Sequence, residues 1–283
     1  EGLMMMWLKA RLGSFLMQTR SPREVPLSDL GQLSKNLMPG DVILVEGLTR
    51  VSDVIRWVTH SPWTHAALYV GKLEMIQDPD LREAILAHYQ GPEDVPLLVE
   101  SYLNVGTIVQ PITVYEHHHL RIARPRGLTD QDADCVVRYA ISRLGVPYDV
   151  RQILDLLRFL FPWFILPRRW RSSLFEMNVG ENTKTVCSTM IAEAFAQVPF
   201  PILPLVRKTE QGQSHFYRSN PKLCTPSDFD YSPYFDIIKY PYFDAGTDGQ
   251  YSLIAWRAAS ELQDTQPGLY LDPESKSEAR TSS

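Results

Sequence analysis

The residues of this sequence best suited to covalent chemistry are Cys187 and His65. A thiol attacks a carbonyl carbon as its thiolate, and a helix start favours that anion through its dipole and free N–H groups. The run Thr185-Val186-Cys187-Ser188-Thr189-Met190-Ile191-Ala192-Glu193-Ala194-Phe195 fits such a start, with an apolar stripe of Met190, Ile191, Ala194 and Phe195 after the cysteine. N–H groups of the same turn could hold an oxyanion. Position alone also fits a buried structural cysteine. His65 follows Ser61-Pro62-Trp63-Thr64 and precedes the apolar run 66–70, which puts an imidazole at the mouth of a strand, where it could take a thiol proton. Taken singly, it reads equally as a turn or surface histidine.

Such a pair needs a scaffold that joins a strand end to a helix start. Pro39-Gly40-Asp41 is a turn, and the buried strand 42–45 follows it. A short helix over 51–58 stops before Ser61-Pro62. Further strands are expected at 66–70, closed by Gly71, at 97–101, from 106 onward, and at 119–125, where a proline removes a ladder donor. Between the second and third strands lies a polar insertion, 72–96, with a helix around 81–88. The period then changes. Thr129 opens a helix whose stripe is Ala133, Val136, Val137, Ala140, Ile141 and Leu144, and Gly145-Val146-Pro147 stops it. Cys187 opens another, closed by Pro199.

Composition narrows the classes. The 283 residues suit one large or two small domains, and 44% hydrophobic with 22% charged residues is ordinary for a globular core. A net charge of −5 argues against a general nucleic-acid binder. The three cysteines, Cys135, Cys187 and Cys224, lie far apart, which is neither a disulfide framework nor a zinc pattern. No apolar run reaches the about 20 residues that span a bilayer. Segment 3–19 repeats apolar residues at helical spacing, but Lys9 and Arg11 interrupt it and no small-residue cleavage site follows, so it reads poorly as a signal peptide. The compartment stays open between cytoplasm and membrane association. The organisation is an N-terminal amphipathic segment (1–36), a folded body (37–260) and a tail rich in Ser, Glu, Asp and Pro (261–283), expected to be disordered.

The motif Pro39-Gly40-Asp41-Val42-Ile43-Leu44-Val45, then Ser61-Pro62-Trp63-Thr64-His65-Ala66-Ala67-Leu68-Tyr69-Val70-Gly71, then Val186-Cys187-Ser188-Thr189-Met190-Ile191-Ala192-Glu193-Ala194 resembles the YiiX/YaeF-like permuted papain-like enzymes of the NlpC-type superfamily. Cys224-Thr225-Pro226-Ser227-Asp228-Phe229 with Ser232-Pro233 is similar to that family's closing signature. In the permuted branch histidine precedes cysteine, the order seen here, and the resemblance covers roughly 37–240. It implies an α+β fold, an antiparallel sheet with helices on one side and the nucleophile facing the sheet from a helix start. It also implies a cysteine hydrolase with Cys187 as nucleophile, His65 as base and a polar or acidic residue on the next strand that orients the imidazole. Glu100, in Val99-Glu100-Ser101, is the candidate for that third catalytic position, although the insertion 72–96 loosens the alignment and Ser101 and Tyr102 are its neighbours. No metal or cofactor is needed.

By the same resemblance the substrate is a peptide or other amide, with cell-wall peptides first. Related permuted enzymes similar to lecithin:retinol acyltransferase move lipid acyl chains, and a non-catalytic binding module of the same fold is a third reading. Segment 153–171 is apolar and aromatic, then basic, which suits either a buried helix pair or peripheral membrane contact together with the N-terminal segment. His117-His118-His119 reads as a solvated turn rather than a metal cluster, since adjacent strand residues point to opposite faces. Cys224, in a loop before a proline, reads as exposed.

Overall fold

A computed structural model describes residues 26–102, 105–146, 187–208 and 212–242, all within one compact unit. The strands are β1 (Val42–Val45), β2 (His65–Lys72), β3 (Pro96–Tyr102), β4 (Gly106–Pro111), β5 (Leu120–Pro125), β6 (Leu205–Lys208), β7 (Ser214–Tyr217) and β8 (Phe235–Ile238). Helices are α1 (Leu30–Lys35), α2 (Arg50–Thr59), α3 (Pro79–Leu86), α4 (Asp130–Ser142), α5 (Ser188–Phe195) and α6 (Pro226–Tyr231). Segments 3–19, 153–171 and 261–283 lie outside the described residues. No described helix is long and apolar enough to cross a membrane.

Six strands form one antiparallel sheet in the order β4-β3-β2-β1-β5-β8, while β6 and β7 make a separate hairpin. The fold is therefore α+β; the order from β1 through β5, α4 and α5 follows the sequence pattern, whereas α1, β6, β7, α6 and β8 are not anticipated from it. The expectation of helices on one side needs correction. One face carries Val42, Leu44, Ala66, Leu68 and Val99 against α3, α4 and α5 through Ile85, Val136, Ala140, Ile191 and Phe195. The opposite face carries Ile43, Val45, Ala67, Tyr69 and Leu98, and it is covered by Leu33 of α1 and by Ile112 and Tyr115 of a 3-10 turn, Ile112–Tyr115. The reason lies in β1, which is apolar and buried at every position, so that both of its faces must leave water. Residues 26–36, which the sequence pattern leaves outside the body, thus contribute part of its cover.

Local chemistry sets each element's ends. Asp29, Thr49, Asp78 and Thr129 cap α1, α2, α3 and α4 with side-chain oxygens that accept first-turn N–H groups. A reciprocal Thr225–Asp228 capping box starts α6. The Pro39-Gly40-Asp41 turn proves to be a structural clamp. Gly40 takes φ 93, a conformation that suits glycine, and its N–H donates to Tyr69 O at 3.0 Å. Asp41, 1% exposed, accepts from Arg124 Nε and Nη2 at 2.9 and 2.8 Å and from the Met38 N–H at 2.8 Å.

That two-pronged pair ties the β1 turn to β5. Removing its carboxylate takes away both Arg124 bonds and leaves the Met38 N–H without its acceptor, while the partly exposed Arg124 keeps the Asn36 carbonyl. Asp41→Ala is expected to lower unfolding stability by about 2 kcal/mol, the range for lost hydrogen bonds to a charged group, read as a reduced urea midpoint with an unchanged denaturant slope; an unchanged midpoint would show that the clamp is dispensable.

Candidate active site

His65 is the first residue of β2, and its approach is heavily fixed. Trp63, 1% exposed, lies with its ring centroid 5.3 Å from that of His119 and with the Arg121 guanidinium 4.5 Å over its face. Thr64 Oγ1 accepts the Gly47 N–H at 3.0 Å. A Cβ on Gly47 would stand 2.2 Å from Ser52 Oγ and 2.6 Å from Thr64 Oγ1, so only glycine lets the chain pass there. The imidazole is thereby held at the sheet's end with its side chain 15% exposed.

Glu100 sits on β3, with no exposed side-chain surface. The Leu68–Val99 register, carried toward the site, makes Glu100 and His65 diagonal neighbours on one sheet face, and His65 Nε2 meets Glu100 Oε2. The carboxylate has further partners. Gln110 Nε2, from β4, donates to its Oε1, and the Tyr115 hydroxyl donates to its Oε2. Tyr102 packs its ring 5.2 Å from that of His65 and shares a 2.8 Å hydrogen bond with Tyr115. Both phenols are pushed up, first by burial and then by the Glu100 charge, so they remain protonated donors.

Cys187 reaches the same corner from the other side of the sheet. It occupies the cap position of α5 without capping the helix by its side chain, is fully buried, and its Sγ accepts the Ala66 N–H at 3.4 Å. The helix start is pinned by Ser188 Oγ donating to Cys224 O at 2.6 Å. Since Nε2 of His65 is committed to Glu100, Nδ1 is the ring nitrogen left for the sulfur.

Burial alone would drive the His65 pKa down. The charges of Cys187 and Glu100, with their hydrogen bonds, more than offset it and hold the imidazole well above its ordinary value. The structure thus brings His65, Glu100 and Cys187 together. Cys224 does not stand exposed as its loop position suggests; it is 8% exposed beside the α5 start, where burial first and then the Asp228 and Cys187 charges push its thiol up. Cys135 lies exposed on α4. The three-histidine run is a turn, with His117 exposed, but it is not wholly solvated: His119 Nδ1 hydrogen-bonds Ser28 Oγ at 2.8 Å, and His118 is half-buried with an unpartnered, buried Nδ1. Among the described residues, no group of three or more His, Cys, Asp or Glu is placed to hold a metal ion.

Sequence reasoning missed Gln110 and Tyr115. Gln110 had a signal, since it lies two residues from Ile108, the cross-strand partner of Glu100, and therefore on the same face. Tyr115 had none, because a 3-10 turn carries no strand alternation.

No family model matches the chain, and no curated protein matches it. Among solved structures it is similar to the crystal structure of metalloprotein yiiX from Escherichia coli O157:H7, at 16% identity and TM-score 0.42, over 72% of this chain and 97% of that one. The likeness is distant.

Because folding raises the His65 pKa, its charge contributes stability below the ordinary imidazole value, and that contribution is lost as pH climbs through the raised value. NMR titration of the ring should show imidazolium persisting through neutrality, and Glu100→Gln should lower the midpoint; an ordinary midpoint in the unaltered protein would contradict this arrangement.

Proposed function

We propose that this chain is a cysteine hydrolase that cleaves an acyl bond through a thioester, with a permuted papain-like architecture. The observation that carries the reading is the orientation of His65: Nε2 is engaged by a buried carboxylate, and Nδ1 is left for a cysteine at a helix start. In this mechanism His65 accepts the thiol proton of Cys187, and the thiolate attacks the carbonyl carbon. The N–H of Ala66, which meets the sulfur at 3.4 Å, favours the anion before attack. The start of α5, which has no side-chain cap, offers N–H groups to the oxyanion. His65 then returns its proton to the leaving group as the C–N or C–O bond breaks, and water, deprotonated by the same ring, releases the acid and the free thiol. Glu100 touches neither substrate nor sulfur in this scheme; it positions the ring and stabilises its charge.

An amide is the substrate class that the ordered motifs favour by resemblance. The histidine-first order and the helix-borne cysteine behind the sheet support the permuted papain-like architecture, and the Glu100–His65 contact supports catalysis over a binding module, which gains nothing from burying a carboxylate against an imidazole.

Iodoacetamide should modify Cys187 about tenfold faster in the unaltered protein than in His65→Ala, with sites assigned by mass spectrometry and exposed Cys135 as the internal reference. Equal rates in the two proteins, or a Cys187 slower than Cys135 in both, would remove the dyad.

A further inference from the structure

Glu100 is a charged group with no exposed surface, and its surroundings assign a direction to each hydrogen bond around it. A phenol has a single proton. Tyr115 gives its own to Glu100 Oε2, so the 2.8 Å bond between the two phenols must be donated by Tyr102. Tyr102 can do so because its own proton is not called on elsewhere: its other contact, with Gln110 Nε2 at 3.4 Å, is one in which the phenol oxygen accepts. Gln110 also donates to Oε1. Both carboxylate oxygens are therefore reached by neutral donors, Tyr115 at Oε2 and Gln110 at Oε1, and Tyr102 donates behind them to the Tyr115 oxygen.

We infer that Tyr115 and Gln110 are positioning residues of this site: they fix Glu100 as an anion with one oxygen aimed at His65 Nε2, and Tyr102 orients the Tyr115 hydroxyl. The inference rests on the hydrolase reading only for its consequence, the rate at Cys187; its physical content concerns where the His65–Glu100 proton resides.

Water normally stabilises a carboxylate, and here neutral donors replace it. Hydrogen bonds to charged groups are the strong class, and stripping them from a buried acid favours its neutral form. The nearest proton available to Glu100 is the one on His65 Nε2. If Glu100 takes it, the ring becomes neutral without any change in the number of bound protons, and the imidazolium facing Cys187 is lost. Other titratable groups around His65 do not replace the lost anion. Cys187 approaches from α5, Tyr102 from β3, Tyr115 from the 3-10 turn, and His117 and His118 from the turn after it, and of these Cys187 alone raises the pKa of His65 as Glu100 does.

The test is the 15N spectrum of the His65 ring in the full chain at neutral pH, with Cys187 alkylation in parallel. Tyr115→Phe keeps the ring and removes one donor. Gln110→Met keeps the length and removes the other. Each is expected to raise the neutral-ring population about tenfold, and the pair together more. Tyr102→Phe should give a smaller shift of the same sign, since it acts through Tyr115. Thermal unfolding of each variant, followed by near-ultraviolet circular dichroism, identifies any that lose their tertiary packing, and Gln110→Met, on half-buried β4, provides a second route should Tyr115→Phe unfold. A wild-type His65 spectrum in Tyr115→Phe, in Gln110→Met and in the double variant would overturn the inference, whatever the alkylation rates. A shifted spectrum with Cys187 labelled equally in the unaltered protein and in His65→Ala would sink the hydrolase reading and leave the positioning role standing.

Discussion

A carboxylate without exposed surface constrains this molecule more than any other group. Moving an ion of that size out of water costs several kcal/mol even after relaxation, and Glu100 recovers the cost through donors from β2, β4 and the Ile112–Tyr115 turn. None of these is adjacent to it in sequence. The β4-β3-β2 register must therefore be right before the charge is tolerable, since a one-residue slip would send Glu100 to the opposite face, among Leu68, Val99 and the α5 side chains. The site and the sheet are stable or unstable together.

The same alternation explains why the chemistry sits at the end of a strand. His65 and Glu100 share the face of Ala67, Tyr69 and Leu98, whereas α5 packs on the face of Ala66 and Leu68. Through the middle of the sheet these two layers cannot meet. At the mouth of β2 the backbone N–H of Ala66 reaches the sulfur while the preceding side chain turns around the sheet's end. A histidine at position 67 or 69 would be shut in beneath α1 and the 3-10 turn. Fixing the loop before it, through Trp63, Thr64 and Gly47, is then a requirement for bringing ring and thiol together.

Much of this was legible in the residues. The apolar runs of β1 and β2 and the stripes of α4 and α5 are strong local signals, and His65 before a strand with Cys187 before a helix follow from them. Glu100 was reached through resemblance, because a single acid in a strand looks like a solvated one until its face is known. The second apolar layer was missed because Leu33 of α1 precedes the recognisable body, and a helix of 6 residues shows too little periodicity to count. Tyr115 was invisible for a related reason: its role depends on where a short turn lies against the sheet, a long-range fact that no local pattern encodes. Cys224 was misjudged because its loop sequence is polar, yet the α6 capping box and the Ser188 hydroxyl draw that loop onto the core.

Two histidines in this corner show how surroundings, not residue type, assign a role. Burial works against the charged form of both. For His118 the neighbouring positive charges of His117 and His65 add to burial, the single favourable contribution from Glu100 is the weakest, and the pKa falls. For His65 burial is opposed by the charge interactions and hydrogen bonds of Cys187 and Glu100, which together exceed the burial penalty, so the pKa rises. The difference lies in the direct contact: Glu100 Oε2 meets His65 and Tyr115, whereas His118 feels that charge only weakly, and its buried Nδ1 has no hydrogen-bond partner. The carboxylate meets one of the two rings directly, through His65 Nε2, and that contact raises the imidazole beside Cys187 and leaves His118 lowered.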